Sequence, residues 1–169
     1  MKKILFGFLF IGLTIQSFAQ IIVTLPEIEI TATNYKYLSK AGFENADFPV
    51  EVLEQKVASF DLENADFYTD EYSTYEVSFY IPDGYILASY DGQGNILRTA
   101  ERFKDVALPR AVIESVASTY PGWTFAKDTY LVNYYDQGLE GKITKKYKIV
   151  LKKDNDRIRV KCDEEGNFL

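Results

Sequence analysis

Two kinds of apolar spacing alternate along this chain. Tyr75, Val77, Phe79 and Ile81 come at every second position, separated by Glu76, Ser78 and Tyr80, which predicts a strand with one buried face. Pro82-Asp83-Gly84 turns the chain, and Ile86, Ala88 and Tyr90 resume the same period. Near the end Tyr147, Ile149 and Leu151, then Ile158, Val160 and Cys162, repeat the pattern. Two other stretches have helical spacing. Val50, Leu53, Val57 and Phe60 follow Pro49, and Val112, Ile113, Val116 and Tyr120 follow Pro109. Each proline suits the first turn of a helix, where its missing N–H costs nothing, and Pro121-Gly122 stops the second run. Asn64 to Tyr72 and Trp123 to Tyr135 are expected to supply a further strand in each half. Ile21 to Thr33 also alternates, leaving open an edge strand or a mobile lead.

The two halves match one another. Shifting Tyr75–Leu97 by 72 positions gives Tyr147–Leu169 and pairs Tyr75 with Tyr147, Ile86 with Ile158, Asp91 with Asp163 and Gly94-Asn95 with Gly166-Asn167. Phe48-Pro49 lines up with Leu108-Pro109 at a shift of 60, so about twelve extra residues are expected in the second half, around Asp128 to Lys145. The grammar is helix plus antiparallel sheet, twice, an α+β chain. Four segments result: 1–19, 20–47 as an amino-terminal extension, 48–100 as repeat one and 101–169 as repeat two.

Residues 1–19 read as a secretory signal peptide. Lys2 and Lys3 precede an apolar run from Ile4 to Ile15, and Ser17-Phe18-Ala19 places small residues before a cut at Gln20. The run is shorter than the ~20 apolar residues needed to cross a bilayer, so no membrane span is expected in the mature chain. A periplasmic or secreted protein follows. Charge is uneven: Gln20–Ala100 holds 14 acids and 4 bases, Glu101–Leu169 holds 11 acids and 13 bases. That balance argues against a nucleic-acid partner on the acidic half.

The stretch LPRAVIESVASTYPGW, followed by KKYKIVLKKDNDRIRVKCDEEGNFL, resembles the PepSY-like, β-lactamase-inhibitor-like family of secreted bacterial proteins. The shared elements are Leu108-Pro109, Tyr120-Pro121-Gly122, Tyr147-Lys148-Ile149 and the closing hairpin Asp163–Asn167. The first half departs from the pattern, with Phe48-Pro49 at its start and no Pro-Gly after Phe60. The resemblance implies one continuous sheet made by two tandem repeats, with helices on one face and the other face open. It also implies, by analogy, an inhibitor- or sensor-like module.

Catalytic chemistry finds little support. The chain has no histidine, which excludes Ser-His and Cys-His nucleophile systems and His-ligated metals, and its single Cys162 can form neither a thiolate metal site nor an internal disulfide. Cys162 is expected as core filler. No cofactor and no catalytic residue is assigned. Asp154-Asn155-Asp156 and Asp163-Glu164-Glu165 offer oxygen ligands but lack the twelve-residue calcium-loop spacing, so the alternative of a small-ligand or calcium-binding protein is the weaker one. The sharper candidate is the open sheet face. Alternation assigns it Tyr80, Tyr85 and Leu87 from the first half and Lys146, Lys148, Arg157, Arg159 and Lys161 from the second. Tyr and Arg anchor protein interfaces well, so an envelope or extracellular protein is the expected partner, its identity and the oligomeric state being unspecified.

Overall fold

The computed structural model describes residues 34–42, 46–138 and 141–169. The proposed signal peptide and the alternating segment Ile21–Thr33 lie outside the described residues. The elements run α1 (Tyr35–Ala41), α2 (Phe48–Ala58), β1 (Thr74–Ile81), β2 (Gly84–Asp91), β3 (Ile96–Lys104), α3 (Arg110–Thr119), β4 (Thr124–Tyr135), β5 (Lys142–Lys153) and β6 (Asp156–Cys162). All six strands form one antiparallel sheet in sequence order, β1 to β6. The chain is thus α+β.

Pattern explains most of this. Pro49 sits in the first turn of α2, and the Asp47 carboxylate accepts the Phe48 N–H and, from the connection ahead of α3, the Ala107 N–H at 3.1 Å each. Val50, Leu53 and Val57 are fully buried under α2, which packs over β1 and β2. Val112 and Val116 do the same for α3, but Ile113 stays 42% exposed, one position off the buried stripe. Opposite them lie Ile86, Ala88, Tyr90, Phe103, Val132, Ile149 and Leu151. Each such aliphatic side chain contributes about 1.5–3 kcal/mol by leaving water. Cys162 is buried in this layer, as its pattern position indicates.

Two segments differ from the sequence expectation. Asn64–Tyr72 is not a strand. Asp61 accepts hydrogen bonds from the Asn64 backbone and side chain, and Ala65 N–H and Tyr68 N–H bond back to Leu62 O and Ala65 O, so successive turns replace an extended ladder. β3 is a strand that hydrophobic alternation does not announce, because its inward positions are Thr99, Glu101 and Phe103; it also runs through position 100. The residues added after α3 lie in β4, which forms where Trp123–Tyr135 is expected as a strand, and in its link to β5; the first half has only turns between α2 and β1.

The two short hairpins are bonded alike. Asp91 N–H donates to Asn95 O and Gly94 N–H to Asp91 O, while the Asp91 carboxylate accepts from the backbones of Gln93 and Asn95 and from the Asn95 amide at 2.8–2.9 Å. Asp163, Glu165, Gly166 and Asn167 repeat each bond at 2.8–3.2 Å. Gly94 and Gly166 close these turns at φ +78° and +84°.

Candidate functional site: the open sheet face

Strand register settles which side chains share the face that no described helix covers. Tyr80 on β1 is opposite Tyr85 on β2, Tyr85 opposite Arg102 on β3, Arg102 opposite Leu131 on β4, and Leu131 opposite Lys146 on β5. This single row crosses five strands, roughly 19 Å at the usual spacing between neighbours. The rings of Tyr80 and Tyr85 lie 6.0 Å apart, and Tyr80 is 67% exposed. A second row holds Ser78, Leu87, Ala100, Asn133 and Thr144. Toward β6 the rows turn basic: Lys104–Thr129–Lys148–Lys161, Lys127–Val150–Arg159 and Thr124–Lys152–Arg157.

All eight residues assigned from sequence therefore lie on one face, but not side by side. Tyr80, Tyr85 and Leu87 sit toward the β1 edge, and Arg157, Arg159 and Lys161 on the β6 edge, with β3 and β4 between them. The gap is bridged by residues that the apolar pattern does not flag: Arg98, Arg102 and Lys104 from β3 and Lys127, Leu131 and Tyr135 from β4. Alternation within β3 is the one available signal, hidden because both of its faces are largely polar. With Lys142 and Lys152, eleven of the nineteen Lys and Arg of the chain project from this face, all exposed. Among the described residues Glu76 is the one strand acid that projects freely there, and it is joined to Arg98 at 2.6 Å and to Ser89 at 2.9 Å; Asp91 folds into its own turn. The Arg98 and Ser89 hydrogen bonds hold the Glu76 carboxyl below its ordinary range.

Two basic pairs stand directly opposite one another, Lys148 with Lys161 and Lys152 with Arg157. Such like-charge pairs cost cross-strand stability. The face is consequently an electropositive plane with a tyrosine-leucine border.

The other side of the sheet holds a buried polar cluster. The Tyr37 hydroxyl donates to Glu101 Oε1 at 2.8 Å and Thr99 Oγ1 donates to the same oxygen at 2.6 Å. Glu101 Oε2 and both Glu54 oxygens are buried with no conventional donor among the described residues. Burial, then the neighbouring Glu101 charge, push Glu54 up to about 9 despite the opposing pull of Lys145. Burial likewise raises Glu101. The proton that Glu54 keeps at neutral pH can serve one pair of these oxygens, and the third stays without a donor among the described residues.

Beside them a groove of about 410 Å³ separates α2 from the β3–α3 connection, walled by Val50, Val106 and Leu108 with Tyr130, Tyr147 and Lys145 below. Lys145 is ion-paired with Glu164 at 3.1 Å. Among the described residues no group of three or more His, Cys, Asp or Glu side chains is arranged around a common metal position. No described helix is long and apolar enough to cross a membrane.

No protein-family model and no curated protein matches this chain. A solved structure of a DUF2874 family protein from Bacteroides uniformis is similar over 79% of this chain and 83% of that one, with 14% sequence identity and a TM-score of 0.35.

Proposed function

We propose that this chain is a non-catalytic binding protein of the periplasm or the extracellular space that captures an acidic protein surface through its open sheet face. The observation that carries the reading is the segregation of eleven exposed bases onto one uncovered face, with two like-charge pairs set directly opposite each other. Solubility alone requires polar side chains there, not side chains of one sign. The Tyr80–Tyr85 pair and Leu87 add apolar area able to close a desolvated patch beside the charges.

The architecture belongs to the same proposal. Two tandem copies of a PepSY-like unit, α2 with β1 and β2 and α3 with β5 and β6, account for the identically bonded hairpins at Asp91–Asn95 and Asp163–Asn167, which follow β2 and β6. Joining two copies edge to edge doubles the width of the open face, which is what a protein-sized partner needs.

The test is paired affinity capture from the organism's own envelope extract with the wild type and an Arg157→Glu/Arg159→Glu variant. Both side chains are exposed, so the variant should melt cooperatively near the wild-type temperature. The wild type is expected to retain a partner that elutes with salt, and the variant to lose it. Recovery of the same partner by both proteins sinks the assignment of the face.

A further inference from the structure

The same chain that exposes this basic plane also exposes its complement. From Val57 to Leu97 there is no lysine or arginine. Within that span the turn-rich segment between α2 and β1 carries Asp61, Glu63, Asp66, Asp70 and Glu71, all exposed, and none is ion-paired among the described residues. Phe67 and Tyr72 project from the same segment at 55% and 62% exposure. An acidic loop with two exposed rings thus faces solvent beside the β1 edge, and the basic rows occupy the other face of the sheet toward the β6 edge.

The two cannot meet within one molecule. The loop is held on the helix side of the sheet, where Phe60 packs edge-on against Phe79 at 5.3 Å and the Tyr68 hydroxyl donates to Gly92 O at 3.1 Å. The basic rows lie on the opposite side and toward the other edge, on β4, β5 and β6. We infer that the acidic α2–β1 loop of one molecule docks on the basic sheet face of a second copy. This rests on the open face as the binding surface of the proposed function and names an occupant for it when no other acidic partner is present. Because the loop and the face are different patches, the contact is head-to-tail rather than two-fold, and each added copy leaves one loop and one face unfilled. Attraction between exposed charges is screened by salt, so the association is a low-salt property.

Two variants test it. One neutralises the loop with Glu63→Gln, Asp66→Asn, Asp70→Asn and Glu71→Gln; the other reverses the face with Lys148→Glu, Arg159→Glu and Lys161→Glu. Sedimentation velocity of the wild type should show mass rising with concentration at about 20 mM salt and a monomer at about 500 mM, where the screening length falls to about 4 Å. Each variant alone should remain monomeric at low salt. Each exposed ion pair removed should weaken association by about 1.5- to 5-fold. Mixed in equal amounts, the variants retain one complete loop and one complete face between them, and should form a complex that stops at two copies. A wild type that stays monomeric at low salt, or a loop variant that associates as well as the wild type, overturns the inference. Neither result touches the proposed function, which the Arg157→Glu/Arg159→Glu capture decides separately.

Discussion

Replacing Glu54 by glutamine should abolish most of the pH dependence of stability between about pH 6.5 and 8.5. The wild type enters that window with a proton held between Glu54 and Glu101, under α2 and against Tyr37 of α1, Thr99 of β3 and Lys145 of β5. Glu54 is pushed up to about 9, first by burial and then by the Glu101 charge. A carboxyl whose folded value is raised binds a proton that the unfolded chain has already released. Its stabilisation is therefore complete below the ordinary carboxyl range near 4.5 and is lost as pH rises toward 9. One proton of difference corresponds to about 1.4 kcal/mol per pH unit, so the wild type should lose about 2–3 kcal/mol across the window. For a chain of this size that is a fall in Tm of about 5–10 °C. Outside the Glu54–Glu101 pair the window holds no histidine, and Asp128, pushed up to about 6 by burial, has largely titrated below it. The glutamine side chain keeps the shape and supplies an N–H donor to Glu101 Oε2 without needing the proton. The assay is urea unfolding at fixed ionic strength every half pH unit for both proteins. A wild type whose stability is flat or rising over the window, or a variant with the wild-type slope, refutes the shared proton.

Two further perturbations isolate backbone and surface effects. Gly166→Ala should cost about 2–3 kcal/mol in chemical denaturation, because φ is +84° and a Cβ there would sit 2.6 Å from Ala111 O; Gly94→Ala, at φ +78° with Leu62 Cβ 3.8 Å away, should cost only the left-handed strain of about 1–2 kcal/mol. Lys148→Glu turns the Lys148–Lys161 opposition into an attractive pair and should raise stability by about 0.5 kcal/mol at low salt, a gain that disappears near 1 M salt.

How much of this is legible in the sequence depends on whether one face of each element is apolar. β1, β2, β5 and β6 are readable because Tyr75–Ile81 and its counterparts alternate cleanly over a buried face. The same alternation puts Arg157, Arg159 and Lys161 on the open side. β3 is illegible because Thr99 and Glu101 point inward, where Tyr37 and Glu54 complete a polar cluster drawn from elements far apart in sequence. No local spacing encodes a partner 64 residues away. Asn64–Tyr72 misleads for the opposite reason: its aromatic residues suggest a strand, while Asp61 and Asn64 supply side-chain hydrogen bonds that compete with a ladder. Without β3, Arg98, Arg102 and Lys104 also stay hidden, so the basic face reads as a stripe rather than a plane.

That plane has an energetic cost within the monomer. A cross-strand pair of opposite sign is worth about 0.2–1 kcal/mol, and directly opposed like charges lose a similar amount. The carboxyl-terminal half contains 11 acids that could have been interleaved with its 13 bases on β5 and β6. Instead Asp163 is spent inside its own turn, Glu101 is buried, and Glu164 reaches Lys145 on the covered side. The outward positions of β6 are Arg157, Arg159 and Lys161, opposite Lys152, Val150 and Lys148. An arrangement that forgoes stabilisation available from its own composition is accounted for when the compensating charge arrives from another molecule. The anion need not be rare: the loop from Asp61 to Glu71 offers five carboxylates on every copy of the chain. Any partner that occupies the face must compete with that loop, and its affinity measured at low salt will depend on the concentration of the protein itself.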